Sequence, residues 1–170
     1  MPNNRHEGMI AEESVSIRAI QRIYASLTGD HSPLTPKDIF DIAEGTREGD
    51  AEAAKAAFAE LGEVAGYTIA AAVTLIDGLV VIGGGLAGAS KYILPALMKE
   101  LRAETGTFAG ARFNRLIAKP YNLEDPAEAA AFLENSSKMV TVPGSGRTVE
   151  YRTDSRIGVA VSRLGASRAI

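Results

Sequence analysis

Four apolar residues, Leu79-Val80-Val81-Ile82, pass without a break into Gly83-Gly84-Gly85. No other stretch constrains the fold as much. An uninterrupted apolar run of this length reads as a strand buried on both faces. Three glycines at its end allow a sharp turn and let backbone approach a ligand with no side chain between. A helix is predicted next, over Ala89 to Thr105, with Tyr92, Ile93, Leu97 and Leu101 inward. A helix start beside such a turn favours phosphate or other anions. Strand, glycine turn and helix in succession put the chain in the α/β class.

The flanking segments fit that class. Met9 to Leu27 carries apolar residues near helical spacing (Ile10, Val15, Ile17, Ile20, Ile23, Tyr24 and Leu27), and Gly29 stops it. Thr35-Pro36-Lys37-Asp38 is a helix start, with a Thr cap, Pro first and an acid third. Gly49-Asp50 opens the longest predicted helix, which runs to Ile76 with Ala54, Phe58, Leu61, Ala65, Ile69, Ala72, Val73 and Ile76 as its buried stripe. Gly62 and Gly66 lie inside it, each costing about 1 kcal/mol relative to alanine, so a closely packed neighbour is expected there. Beyond the glycines come a strand over Phe113 to Ala118 and a helix from Asp125-Pro126-Ala127-Glu128 to about Asn135. A hairpin follows around Pro143-Gly144-Ser145-Gly146, then a strand over Ile157 to Val161 and a helix beginning at Leu164. The expected organisation is one α/β lobe over residues 1–170, mainly helical over 1–77, with a sheet, interleaved helices and a hairpin over 78–170.

Composition excludes several functions. Hydrophobic residues at 46% and charged residues at 23% suit a packed core. The absence of cysteine rules out disulfides and thiolate metal sites in these residues. A net charge of −3 gives no reason to expect a nucleic-acid or membrane partner. Six basic and two acidic residues follow from Lys138 onward, read as solvated charges because no aromatics interleave with them in a stacking pattern. Met1 to His6 holds no apolar signal core, and Ile69 to Leu86 is broken by Thr74, Asp77 and Gly78, so a cytoplasmic protein is expected.

Gly83 to Gly88 also matches the dinucleotide fingerprint G-x-G-x-x-G, which makes an NAD or FAD domain one reading. Three features oppose it. The fingerprint usually opens its domain, whereas a long helical section precedes it here. It calls for an acid at the end of the next strand, but that strand ends near Lys119-Pro120 and the first acid is Glu124. A hairpin stands where the second half of a mononucleotide-binding unit belongs.

The phrase Ile76-Asp77-Gly78-Leu79-Val80-Val81-Ile82-Gly83-Gly84-Gly85, after a helix of Gly-Glu-x-Ala-Gly type (Gly62 to Gly66), resembles the adenosine-motif region of ROK proteins (repressors, open reading frames and kinases). Pro95 in the following helix and Ser162-Arg163-Leu164-Gly165 add to the resemblance, and Glu12 with Ser16-Ile17-Arg18-Ala19-Ile20 extends it to the N-terminus. It implies the C-terminal lobe of an actin/hexokinase-like (ribonuclease H-like) ATPase fold. It further implies that Gly83, Gly84 and Gly85 meet the adenosine of ATP and that Glu12 contacts sugar hydroxyls. The family's zinc signature would put cysteines where Asn3, Arg5 and Ile10 stand, so no zinc site is expected; His6 and His31 are given no role. The family's first phosphate loop and its catalytic Asp are not found, so no catalytic residue is assigned and the chain is expected to be inactive alone, a fragment of a glucokinase-like hexose kinase that uses ATP with magnesium. Family members commonly dimerise, so a homo-oligomer is expected. A sugar-sensing ROK transcriptional repressor is the alternative, with no nucleic acid bound through this lobe.

Overall fold

The computed structural model describes residues 1–164. Its elements are helices α1 (Ile17–Thr28), α2 (Pro36–Ala43), α3 (Ala51–Val73), α4 (Ser90–Leu101) and α5 (Pro126–Leu133), and strands β1 (Val80–Ile82), β2 (Glu104–Gly106), β3 (Arg112–Asn114), β4 (Lys119–Asn122), β5 (Lys138–Thr141), β6 (Thr148–Tyr151) and β7 (Arg156–Val161). The expected mixture of helices and sheet therefore forms. The central sheet is parallel, in the order β1-β7-β4, with Val80 opposite Val159 and Pro120 opposite Ile157. Two antiparallel pairs, β2-β3 and β5-β6, stand apart from it.

Local chemistry sets the helix starts. The Thr35 hydroxyl accepts from the Asp38 amide while the Asp38 carboxylate accepts from the Thr35 amide, a reciprocal capping box with Pro36 at the first position. The Thr35 hydrogen bonds, first that of its side chain, hold the Asp38 carboxyl below its usual range. Asp50 caps α3 through the Ala53 amide, and Asp125 caps α5 through the amides of Ala127 and Glu128. Gly29 ends α1 in the left-handed region, at φ 75°.

The glycines inside α3 have the close neighbour they call for, and it is α4. A Cβ at Gly62 would lie 2.2 Å from the Ile93 carbonyl oxygen, and one at Gly66 would lie 2.6 Å from that of Leu97. Backbone meets backbone here, which no larger residue permits. Phe58, Leu61 and Ile93 join α1 and α2 in one apolar cluster; Ala65, Leu97 and Leu101 join Leu116, Ile157 and Val159 in a second cluster against the sheet. By length and hydropathy α3 could cross a membrane, but its buried face is the packing surface for α1, α2 and α4. Gly158 faces the other side of the sheet, where Leu79, Leu123 and Phe132 leave no space for a Cβ.

Several predicted bounds move. Residues 9–16 are not helical beyond a single 3-10 turn at Ala11–Glu13; Ser16 is extended and caps α1, leaving Met9, Ile10 and Ile17 exposed. The long helix ends at Val73, where the Leu75 amide closes a tighter turn onto the Ala72 carbonyl; Ile76 is exposed instead of buried. The strand expected to be buried on both faces is an edge strand covered on one face: Val80 and Ile82 pack against the second cluster, while Val81 on the opposite face is 60% exposed. The predicted strand over Phe113 to Ala118 divides, with β3 ending at Asn114 and β4 starting at Lys119. The helix after the glycines ends at Leu101, and the one predicted from Leu164 falls almost wholly outside the described residues.

Gly62→Ala will destabilise the chain by about 1–3 kcal/mol, as overpacking against backbone does, despite alanine's higher helix propensity. Gly78→Ala, where no atom lies within 4 Å of the added carbon, will stay within about 0.5 kcal/mol. Urea unfolding midpoints of the two variants check the contrast.

Candidate functional site

Ligands of open parallel sheets bind outside the carboxyl ends of the strands, and Gly83 stands at that end of β1. The ladder continues one step past the strand, where the Ser162 amide donates to the Ile82 carbonyl at 2.8 Å. The chain then turns. Gly84 takes φ 88°, a region that disfavours side chains, and its carbonyl accepts from the Ala87 amide at 3.1 Å. A Cβ at Gly84 or Gly85 would meet nothing within 4 Å. The glycines are thus not required by internal packing at these two positions: Gly84 is required by its backbone angle, and Gly85 borders open space. Among the described residues the amides of Gly84 and Gly85 donate to no protein acceptor.

That open space is a cavity of about 700 Å³. Gly83, Gly84, Gly85 and Leu86 form one wall; Glu12, Val15 and Ser16 form another; Leu61, Ala65, Thr68 and Ile69 of α3 and Ile93 and Leu97 of α4 complete it. The cavity therefore brings together all four residues singled out in the sequence, Glu12 and the three glycines, although about seventy positions separate them. Its floor is apolar and its polar groups are few: the exposed Glu12 carboxylate, the Ser16 hydroxyl and the Thr68 hydroxyl, which also donates to the Val64 carbonyl at 2.8 Å. Thr68 escaped notice in the sequence because it sits in an apolar helical stripe with no motif around it. Another cavity, of about 580 Å³, lies around the end of α4 and the start of β4 and shares no residue with this one.

Glu12 is held where it is by its own loop. Asn3, 7% exposed, donates through Nδ2 to the Ser14 hydroxyl at 2.9 Å, and its Oδ1 accepts from the amides of Arg5 and His6. Pro2 and Ile10 form a bridge that closes the loop. Arg5 pairs with Glu60 and Glu63, and His6 Nε2 lies 3.1 Å from a Glu60 carboxylate oxygen, so the loop is tied to α3. Asn3, Arg5 and Ile10, where the family's zinc signature would put cysteines, thus belong to a hydrogen-bonded loop closure. Among the described residues no three His, Asp or Glu side chains form a metal-binding group. On the far side of the glycine turn, Glu44 accepts from Lys91 and Tyr92, which hold its carboxyl below the usual range, and the same contact raises the Tyr92 phenol.

The topology departs from a dinucleotide unit. There the strand after the first helix lies beside the first strand; here α4 leads to β4, and β7 separates β4 from β1. Glu124, the first acid after that strand, accepts from the Val161 amide at 2.9 Å.

Comparison with solved structures gives a close relative. Over 99% of its length the chain is 49% identical to a glucokinase from Parabacteroides distasonis, with a TM-score of 0.85; it spans 45% of that protein's length. A ROK family glucokinase from Streptomyces griseus, solved with glucose and AMPPNP, is 19% identical over 94% of this chain and 41% of its own, with a TM-score of 0.49. No protein-family model and no curated protein matches the chain. The resemblance to a glucokinase-type sugar kinase holds, and the chain is a lobe of that larger fold.

Asn3→Ala will cost about 1–3 kcal/mol, because it leaves buried polar groups of the loop without a partner. A chelator will leave the unfolding temperature unchanged. Thermal denaturation of the parent chain and the variant, with and without EDTA, tests both.

Proposed function

We propose that this chain is the C-terminal lobe of a ROK-type kinase whose whole form transfers the γ-phosphoryl group of ATP, with magnesium, to a hexose such as glucose. The observation that carries this reading is the convergence of Glu12 and Gly83, Gly84 and Gly85 on one cavity, in a chain 49% identical to a glucokinase over 99% of its length. The free glycine amides and absent side chains suit close approach of a nucleotide. The Glu12 carboxylate, an acceptor of up to four hydrogen bonds, suits the hydroxyls of a sugar. Phosphoryl transfer is mainly positioning and electrostatic stabilisation around an in-line displacement. This lobe supplies the adenosine side and one edge of the sugar site. Magnesium would neutralise the ATP phosphates, and the base and phosphate clamp would come from the rest of the kinase fold. The chain by itself is inactive. Its exposed Leu75, Ile76, Leu79 and Val81 favour association with a second polypeptide or a second copy, and the setting is cytoplasmic.

A chimera tests the proposal. With this chain replacing the matching 45% of the Parabacteroides glucokinase, glucose phosphorylation will be retained, whereas the chain alone will show none. In the chimera, Glu12→Gln will lower kcat/KM at least about tenfold, the loss of roughly 1.4 kcal/mol of transition-state binding, with the unfolding temperature nearly unchanged. A folded chimera without activity, or one indifferent to Glu12→Gln, overturns the corresponding part of the reading.

A further inference from the structure

The β5-β6 hairpin draws little support from the lobe. It is a sheet of its own, every residue of both strands is exposed, and neither strand packs extensively on any element but the other. An isolated two-stranded hairpin is marginal at best in water; a further strand or a covering surface makes one stable. One face of it is apolar. Val140 and Val149 stand opposite each other in the ladder, with Val142 and Tyr151 on the same side.

Hydrogen bonding alternates along an antiparallel ladder. The Val142 amide donates to the Arg147 carbonyl at 2.8 Å. The pairs Val142–Arg147, Val140–Val149 and Lys138–Tyr151 therefore bond inside the hairpin, and Thr148 and Glu150 turn their amides and carbonyls to the free edge of β6. Among the described residues neither of these two amides has a protein acceptor. The free edge of β5 is guarded, with Lys138 at one end and Pro143 just past the other.

We infer that the free edge of β6 is an interface to a second copy of this chain, paired antiparallel about Val149 into a continuous four-stranded sheet. The edge complements itself in this register. Thr148 pairs with Glu150 of the second copy, so a hydroxyl donor meets a carboxylate acceptor. Arg147 falls opposite Tyr151 of the second copy, on the same face, which sets a guanidinium beside a phenol ring. Each contact is made twice, because the pairing is isologous, and it closes as a dimer instead of growing into a filament. Val140 and Val149 of both copies then form one apolar stripe across the four strands.

The chain has no cysteine, so a single introduced thiol reports the register. Across the twofold, Val149 is opposite itself in a non-hydrogen-bonded pair, with Cα atoms about 4.5 Å apart, inside the range a disulfide spans. Val149→Cys is expected to give a disulfide-linked dimer under mild oxidation. Met139→Cys, on the β5 edge and 66% exposed, is expected to stay uncrosslinked. In the parent chain, hydrogen exchange at the Thr148 and Glu150 amides will slow as concentration rises and recover on dilution. Thr148→Pro removes one bond to the partner from each copy and none within the hairpin, and will abolish that dependence. Arg147→Glu leaves every backbone bond in place and will weaken the dimer at least about tenfold. Cross-linking at Met139 as readily as at Val149 overturns the interface. So does self-association in which the Thr148 and Glu150 amides exchange freely at every concentration, since the contact is then elsewhere, and so does a chain that stays monomeric throughout.

Discussion

The contact on which the rest of the lobe depends is the crossing of α3 and α4. At Gly62 and Gly66 the α4 backbone comes so close that a methyl group would overlap the carbonyl oxygens of Ile93 and Leu97. Two glycines in the middle of a 23-residue helix weaken it as a helix; the packing they admit offsets that cost. Because α4 is fixed there, its first turn is fixed too, and so is the glycine turn between it and β1. The same crossing joins the two apolar clusters, since Phe58 and Ile93 belong to the helical one and Ala65 and Leu97 to the one under the sheet.

The candidate site is assembled around that crossing from three stretches of chain. The N-terminal loop brings Glu12, held by the Asn3 hydrogen bonds. Helix α3 brings the floor and Thr68. The turn after β1 brings backbone without side chains. None is a site alone: a first-turn acid is ordinary on any helix, and a glycine turn after a strand often has only a conformational purpose. Their meeting at one cavity is what the proposed function builds on. The positive φ of Gly84 accounts for glycine there, whereas at Gly85, which borders open space, neither packing nor a left-handed φ does.

What the sequence revealed follows the range of the interactions concerned. Helix starts at Thr35-Pro36, Asp50 and Asp125 were legible, because a cap is made by residues within four positions of one another. The need for a close neighbour at Gly62 and Gly66 was legible from helix propensity, though not the neighbour itself. The apolar run Leu79 to Ile82 suggests burial on both faces, but only the Val80 and Ile82 face is covered by the second cluster; what packs over a strand is decided by elements far along the chain. The extent of the first helix was overread for a similar reason, since Ile10 and Val15 keep helical spacing but the Asn3 to Ser14 bond holds their backbone elsewhere. Strand β4 lies later than the apolar run Phe113 to Ala118 suggests, over Lys119–Asn122, and it includes a proline. Proline is admitted there because β4 is at the sheet edge, where a missing amide costs no ladder bond. Glu12 and the glycines entered through family resemblance. Thr68 had no local signal, as it matters only through what α3 faces.

The central claim is that the turn after β1 is a nucleotide surface. Amide hydrogen exchange along the chain, measured with ATP and magnesium and separately with NAD, tests it most directly. The account predicts slowed exchange over residues 83–89 with ATP and no change there with NAD. Protection of that segment by NAD and not by ATP, or an exchange pattern that neither nucleotide alters, would contradict it.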